Sequence, residues 1–244
     1  MCRLMAFASS GERTLPDLVG GDFPGFVQLS KAHRDGWGLA TSSSSGAQVI
    51  KSSQPAAESE AFSKTITTKS APAGLLHFRW ASPGLEVTEN NSHPFFYSDI
   101  AMIHNGAVTP YDALAPRIDP KLFSLRKGET DSELYFLFTL TQIAKSNFLD
   151  GIRTAIKIIK TEFDYSSINS MFFNSDYLVI VSEHNLNRIP AEGKANYYEL
   201  RYRIDDEGIV AASSGWNQEG WELMNNHQML IYDRGRQSHI LESI

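Results

Sequence analysis

Cysteine is almost missing from this chain: among 244 residues there is one, Cys2. An internal disulfide framework is thereby excluded, and the usage agrees with a reducing compartment. No stretch of the sequence approaches the roughly 20 apolar residues of a membrane-spanning helix. The N-terminus lacks the basic flank and apolar segment of a secretion signal, so the expected location is cytoplasmic and no membrane partner is expected. Basic residues are outnumbered, 22 against 28 acidic, and form no stripe along the sequence. Phosphate backbones call for the opposite pattern, which argues against nucleic acid as a partner. Internal repeats are absent, and the serine run 42–45 is too short for an interdomain linker. With 42% hydrophobic and 20% charged residues the composition is that of an ordinary folded protein, and the length suffices for a substantial core. Residues 2–244 therefore read as a single domain.

What is present reads as strands broken by two adjacent helices. The run up to Ala8 predicts a buried strand, and Thr14-Leu-Pro-Asp17 predicts a capped helix start that Gly21-Asp-Phe-Pro-Gly25 cuts short. Two strands flank the serine turn, a helix is expected over 55–68, and Gly74–Trp80 reads as a buried strand. Residues 81–98 are rich in Pro, Gly, Asn and Ser and predict a long functional loop. Strand character returns at Asp99–His104 before Asn105-Gly106, a dipeptide that ordinarily signals a turn. Thr130-Asp-Ser-Glu133 has the form of a capping box, with Glu133 reaching back to the cap, and opens a helix to about Ala144. A second helix follows over 150–162, then strands from Ser170 to the C-terminus. The economical class is α+β, with sheets covered by helices.

Position gives Cys2 its interest. Behind a trimmed Met1 it carries a free α-amine with a reference pKa of about 7.7–8.0, which can take the proton of its own thiol. A buried apolar role is the alternative reading of a free cysteine. Four further segments join it: His77-Phe-Arg-Trp-Ala-Ser-Pro-Gly84, Asn91-Ser-His-Pro94, His104-Asn-Gly106 and Thr130-Asp-Ser-Glu133. Each has an ordinary explanation, as a cation–π pair, loop, turn or helix start. Together they supply what hydrolysis of a side-chain amide needs. Asn105 offers a side-chain N–H and Gly106 a backbone N–H to an oxyanion. Arg79 can grip a carboxylate through two parallel hydrogen bonds and Asp131 can hold an ammonium, the two charges of an amino-acid head group.

In order and spacing these segments resemble the class II glutamine amidotransferases, members of the N-terminal nucleophile hydrolase superfamily. The resemblance implies a four-layer αββα sandwich with Cys2 as nucleophile and Asn105 and Gly106 as the oxyanion hole. It places glutamine recognition on Arg79, Trp80 and Ser82, and the glutamine amine on Asp131. His93 is grouped with the substrate-binding residues, and His33-Arg-Asp-Gly-Trp-Gly38 resembles the segment before the second strand of stand-alone members. The implied activity is cleavage of the γ-amide of glutamine, or of a γ-glutamyl compound, through a Cys2 thioester. The alternatives are an ammonia-supplying subunit for a separate synthase and an inactive binding module of the same fold. A synthase or hydrolase partner subunit is a possible partner. No cofactor is expected, and no metal: His77, His93 and His104 with Cys2 match no familiar zinc spacing. Trp216 and Trp221 are expected in the core.

Overall fold

The protein is described by a computed structural model covering residues 2–189 and 196–244. Its strands are β1 (Arg3–Arg13), β2 (Trp37–Ser43), β3 (Gly46–Ser52), β4 (Ala71–Phe78), β5 (Phe95–Tyr97), β6 (Ile100–Thr109), β7 (Asp164–Phe173), β8 (Tyr177–Ser182), β9 (Leu200–Asp205), β10 (Gly208–Ser213), β11 (Glu222–Leu223), β12 (Gln228–Asp233) and β13 (Ser238–Ser243). The helices are α1 (Leu15–Val19), α2 (Phe23–Gln28), α3 (Glu60–Thr68), α4 (Pro120–Phe123), α5 (Asp131–Ile143) and α6 (Phe148–Glu162). One sheet runs β11-β9-β10-β1-β4-β2-β3 and the other β13-β12-β8-β7-β6-β5, every pairing antiparallel.

Three apolar clusters account for the layering. Leu4, Ala6 and Ala8 of β1 meet Ile103, Met171 and Ile180 between the sheets. The alternate residues Met5 and Phe7 face α1 to α3 through Leu15, Phe26 and Phe62. Beyond the second sheet, Phe172 and Val181 pack on Leu134, Phe138 and Ile156 of α5 and α6. The result is the expected αββα sandwich. A strand covered on both faces loses the polar alternation of a half-exposed one, which is why residues 4–8 form an unbroken apolar run. Trp221 is buried and stacks edge-on to the half-buried Trp216 at 5.3 Å, so both belong to the core beneath α2.

Several elements depart from the sequence reading. Gly21–Gly25 does not end the helical region, because Pro24 sits within the first turn of α2, where its missing N–H costs nothing. The stretch over 55–68 divides into a 3-10 turn at Ala56–Glu58 and α3, capped by Ser59. β5 lies inside the long loop, and the hairpin to β6 turns at Ser98-Asp99, with Ser98 at φ 56. Asn105-Gly106 is no turn: β6 runs straight through it and pairs Asn105 with Asn169 and Gly106 with Ile168. β7 starts at Asp164, six residues earlier than expected.

Candidate active site

The register of β1 sets the site. Arg3 pairs with Phe78 of β4, so Cys2 comes opposite Arg79 at the end of that strand. The Cys2 backbone N–H donates to Asn105 Oδ1 at 3.0 Å, and its thiol donates to the Trp80 carbonyl at 3.8 Å. With Oδ1 engaged, the Asn105 amide can turn only its Nδ2 toward a ligand. Burial pushes the Cys2 thiol up, and the guanidiniums of Arg79 and Arg3 oppose that shift.

Gly106 is at φ 153, and a side chain there would meet the Ser167 carbonyl oxygen at 1.9 Å. Only glycine fits this position. A β-bulge follows directly, between Ala107 and Val108. It lets the Val108 N–H donate to Asp131 Oδ2 at 2.8 Å, which ties the first residue of α5 to the same stretch of β6. Asp131 is buried, and burial raises its carboxyl to about 6 against the backbone N–H groups it accepts from.

Arg79 is 3% exposed; Nη1 donates to the Glu86 carbonyl at 3.0 Å, while Nη2 is buried without a hydrogen-bond partner. An unsatisfied buried guanidinium nitrogen is costly, and here it borders the cavity. That cavity, about 40 Å³, is lined by Cys2, Arg79, Trp80, Ser82, His93, Asn105, Gly106 and Asp131 among others. The eight residues given catalytic or substrate-binding roles in the sequence thus come to one place, whereas His77 and Glu133 do not line it. Trp80 and Ser82 are exposed at its mouth, and the Trp80 ring stands edge-on to His33.

His93 is buried behind the site, 4.2 Å from His77 ring to ring, and desolvation drives both well below the usual histidine range. His104 has a defined tautomer: a carbonyl only accepts, so Nε2–H donates to the Ser167 oxygen at 3.2 Å. Nδ1 then accepts from the Ser132 hydroxyl at 2.8 Å. Burial lowers this imidazole to about 4, keeping it neutral. Among the described residues no group of three or more His, Cys, Asp or Glu is disposed to hold a metal, and no helix is long and apolar enough to cross a membrane.

Some positioning residues escaped the sequence reading. Thr130 caps α5 as expected, but Glu133 does not reach back to it. Its carboxylate instead accepts from the Lys127 and Gly128 N–H groups at 2.9 and 2.7 Å. Asn91 Oδ1 accepts from Glu129 N–H at 2.8 Å and its Nδ2 donates to Glu86 O at 3.2 Å, joining the 81–94 loop to the start of α5. Asp35 accepts from the Ala81 N–H at 2.7 Å, and Arg79 N–H donates to Gly36 O at 2.9 Å. The His33–Gly38 segment thus holds the end of β4 in place. The signal was there in Asn91 and Asp35 as short polar residues in loop segments, but nothing local said what they would bond.

Comparison with known proteins agrees with this fold. An uncharacterized protein of Methanocaldococcus jannaschii is 27% identical over 235 residues, covering 86% of this chain and 64% of its own. The glutamine–fructose-6-phosphate aminotransferase (isomerizing) of Gloeobacter violaceus is 25% identical over 185 residues, 75% of this chain and 29% of that protein. The chain therefore spans less than two thirds of the length of either relative. In fold it is similar to a glutamine aminotransferase class-II domain protein from Silicibacter pomeroyi, with a TM-score of 0.71 at 17% identity over 100% of this chain and 99% of the other. The description "Glutamine amidotransferases class-II" matches residues 1–243, and the chain belongs to that family.

Proposed function

We propose that the chain cleaves the γ-amide of glutamine or of a γ-glutamyl compound by way of a thioester on Cys2. The observation that carries this reading is the 3.0 Å contact between Cys2 N and Asn105 Oδ1, which couples the nucleophile's own nitrogen to an oxyanion donor. Removal of Met1 turns that nitrogen into an amine of near-neutral pKa. The amine, directly or through one water, takes the thiol proton, and the thiolate adds to the amide carbon. Asn105 Nδ2 and the Gly106 N–H hold the resulting oxyanion. As the tetrahedral species collapses, the carbon–nitrogen bond breaks and the ammonium returns its proton to the departing nitrogen. Water, deprotonated by the same amine, then opens the thioester and releases the carboxylate.

Substrate orientation follows from β6. Gly106 and Val108, whose N–H fixes Asp131, are two residues apart, about 7 Å in an extended strand. That separation is comparable to the five-bond reach between the side-chain oxygen and the α-nitrogen of glutamine. The free Nη2 of Arg79 supplies the partner for the α-carboxylate. The acyl-transfer steps above call for no cofactor.

Intact-mass analysis after incubation with a glutamine-like diazo-ketone tests processing, nucleophile and substrate class together. The expected result is loss of Met1 and one adduct on Cys2, blocked by excess glutamine. A trimmed protein that binds glutamate but never forms the adduct is a binding module, and the proposal fails. A fused extension before Cys2 that cannot be removed should abolish turnover, since its peptide bond makes the nitrogen non-basic.

A further inference from the structure

Three of the four sheet edges are closed to further pairing, and one is open. β5 and β11 are three and two residues long, too short to hold another strand. β3 is tied by its Ala47 N–H to Ser98 O at 3.0 Å, so the hairpin turn before β6 occupies that edge. β13 ends the second sheet beyond β12, and no described strand pairs with its other side. Edge strands ordinarily carry a guard: a lysine, a proline, a bulge or a covering loop. β13 has no lysine or proline, its register with β12 is unbroken, and Ser238 to Leu241 are all exposed. Its one carboxylate, Glu242, is turned aside, held by Arg153 Nε at 2.6 Å and Nη2 at 2.9 Å.

The ladder fixes which backbone groups of that edge are free. Ile244 N–H donates to His227 O at 3.0 Å, and antiparallel bonding alternates along a strand. Ser238, Ile240, Glu242 and Ile244 therefore turn their N–H and C=O groups toward β12, while His239, Leu241 and Ser243 turn theirs outward. Side-chain directions follow from the same register. Leu241 lies across from Leu230 on the face between the sheets, and Ile240 across from Ile231 on the face of α6. Leu241 is 41% exposed and Ile240 55%. At the other end of the strand, a cavity of about 370 Å³ opens between α6 and β13, walled by Arg153, Ile156, Lys157, Lys160, Glu242 and Ile244. One edge thus bears an apolar knob and a hole.

We propose that β13 is the interface of a two-fold homodimer, in which it pairs antiparallel with the same strand of a second copy and joins the two sheets into one. The axis passes through Leu241. This register brings all three outward-facing residues into hydrogen-bonded pairs, Leu241 with its own copy and His239 with Ser243 of the partner subunit, each pair exchanging two N–H···O bonds. Ile240 then stands across from Glu242 of the partner subunit on the α6 face, with Cβ atoms about 4.5–5.5 Å apart, and its side chain enters the cavity beside that residue. Each copy offers one knob and fills one hole, the self-complementarity that a two-fold interface requires. Centring the pair on Ile240 instead would set Ser243 against Gln237, which lies past the strand at φ 51. Charge does not oppose the contact. Arg153 and Lys160 are paired with Glu242 and Glu183, and the exposed Lys157 can keep its ammonium in water. Because β12, β8 and β7 stand between β13 and β6, the nucleophile's cavity stays open in both copies.

Sedimentation equilibrium at protein concentrations up to about 100 μM should give twice the mass of the chain. Leu241→Pro removes an outward N–H and no bond to β12, so it should be a folded monomer by the same measurement and by circular dichroism. Ile240→Lys, at a side chain exposed in the monomer, should be monomeric as well and gives the answer if the proline variant fails to fold. Single cysteines in a Cys2→Ser background read the register. Leu241→Cys falls opposite itself at a Cα separation of about 5.5 Å, within disulfide range, and should yield a cross-linked dimer on mild oxidation. Ile240→Cys stands about 7–8 Å from its copy and should not. A parent protein that is monomeric at every concentration would overturn the proposal, and so would folded Leu241→Pro or Ile240→Lys protein that remains dimeric. Cross-linking through Ile240→Cys but not Leu241→Cys would overturn the pairing centred on Leu241.

Discussion

Replacing Asp131 by asparagine should make the protein more stable and less active at once. The carboxyl is buried at the start of α5, and burial raises its pKa from 3.8 to about 6. Below the lower value both folded and unfolded chains carry the proton, and the group adds no pH dependence. Between the two values the unfolded chain releases its proton first, so stability falls as pH rises, and above about 6 the full penalty is in place. At 1.36 kcal/mol per pKa unit the penalty is about 3 kcal/mol. Asparagine keeps an oxygen to accept from the Val108 N–H but never ionises. Asp131→Asn should therefore gain up to about 3 kcal/mol at pH 8, or roughly 6–12 °C in Tm for a chain of this size, and almost nothing at pH 4. Glutamine should narrow the gap by raising the Tm of the parent protein alone, because its α-ammonium neutralises the carboxylate. Thermal melts followed by circular dichroism at pH 4, 6 and 8, with and without glutamine, give the answer. A difference that does not change with pH, or a variant less stable than the parent at pH 8, would refute the reasoning.

Other outcomes follow from the same geometry. Asn105→Ala should lower kcat by about 10²–10³ with little change in KM, and Asn105→Asp at least as much, because an acceptor then faces the oxyanion; steady-state kinetics on the folded variants check this. Arg79→Lys should raise KM for glutamine well beyond that for an analogue lacking the α-carboxylate, since an ammonium cannot reproduce the planar fork. Gly106→Ala forces a methyl group onto the Ser167 carbonyl oxygen, and should lower stability by about 3 kcal/mol in chemical denaturation. A Gly106→Ala protein of unchanged stability would show that the strand can shift.

How much of this could be read from residues alone depends on whether a signal was local. Strands buried on both faces announced themselves, as in 4–8 and 74–78. Thr130 and the apolar helix behind it were equally plain. Failures cluster where polar groups are satisfied at long range. Asn105-Gly106 carries turn chemistry, yet its neighbour in space is β7, and a ladder of long-range pairs outweighs a local preference. β7 looked like a loop before Ser170 because Ser167 and Asn169 are polar. Both are fully buried, the first through the His104 ring and the second through Tyr198 O and the Glu183 N–H. Glu133 has the spacing of a capping box but finds two better donors in a preceding loop. A reading that treats polarity as exposure misses such residues, and this site is made of them.

The central place of β1 has a consequence for how the protein is made. Its first strand is its earliest in synthesis, yet the partners on either side lie about 70 and about 200 residues later. Closing loops of that size is slow, and contacts across them form late. The N-terminal strand must wait, apolar on both faces, until β10 has been synthesised before its second edge is covered. A chain truncated before residue 208 should thus be a client of chaperones, prone to aggregate, and catalytically silent even though it contains every residue assigned to the chemistry.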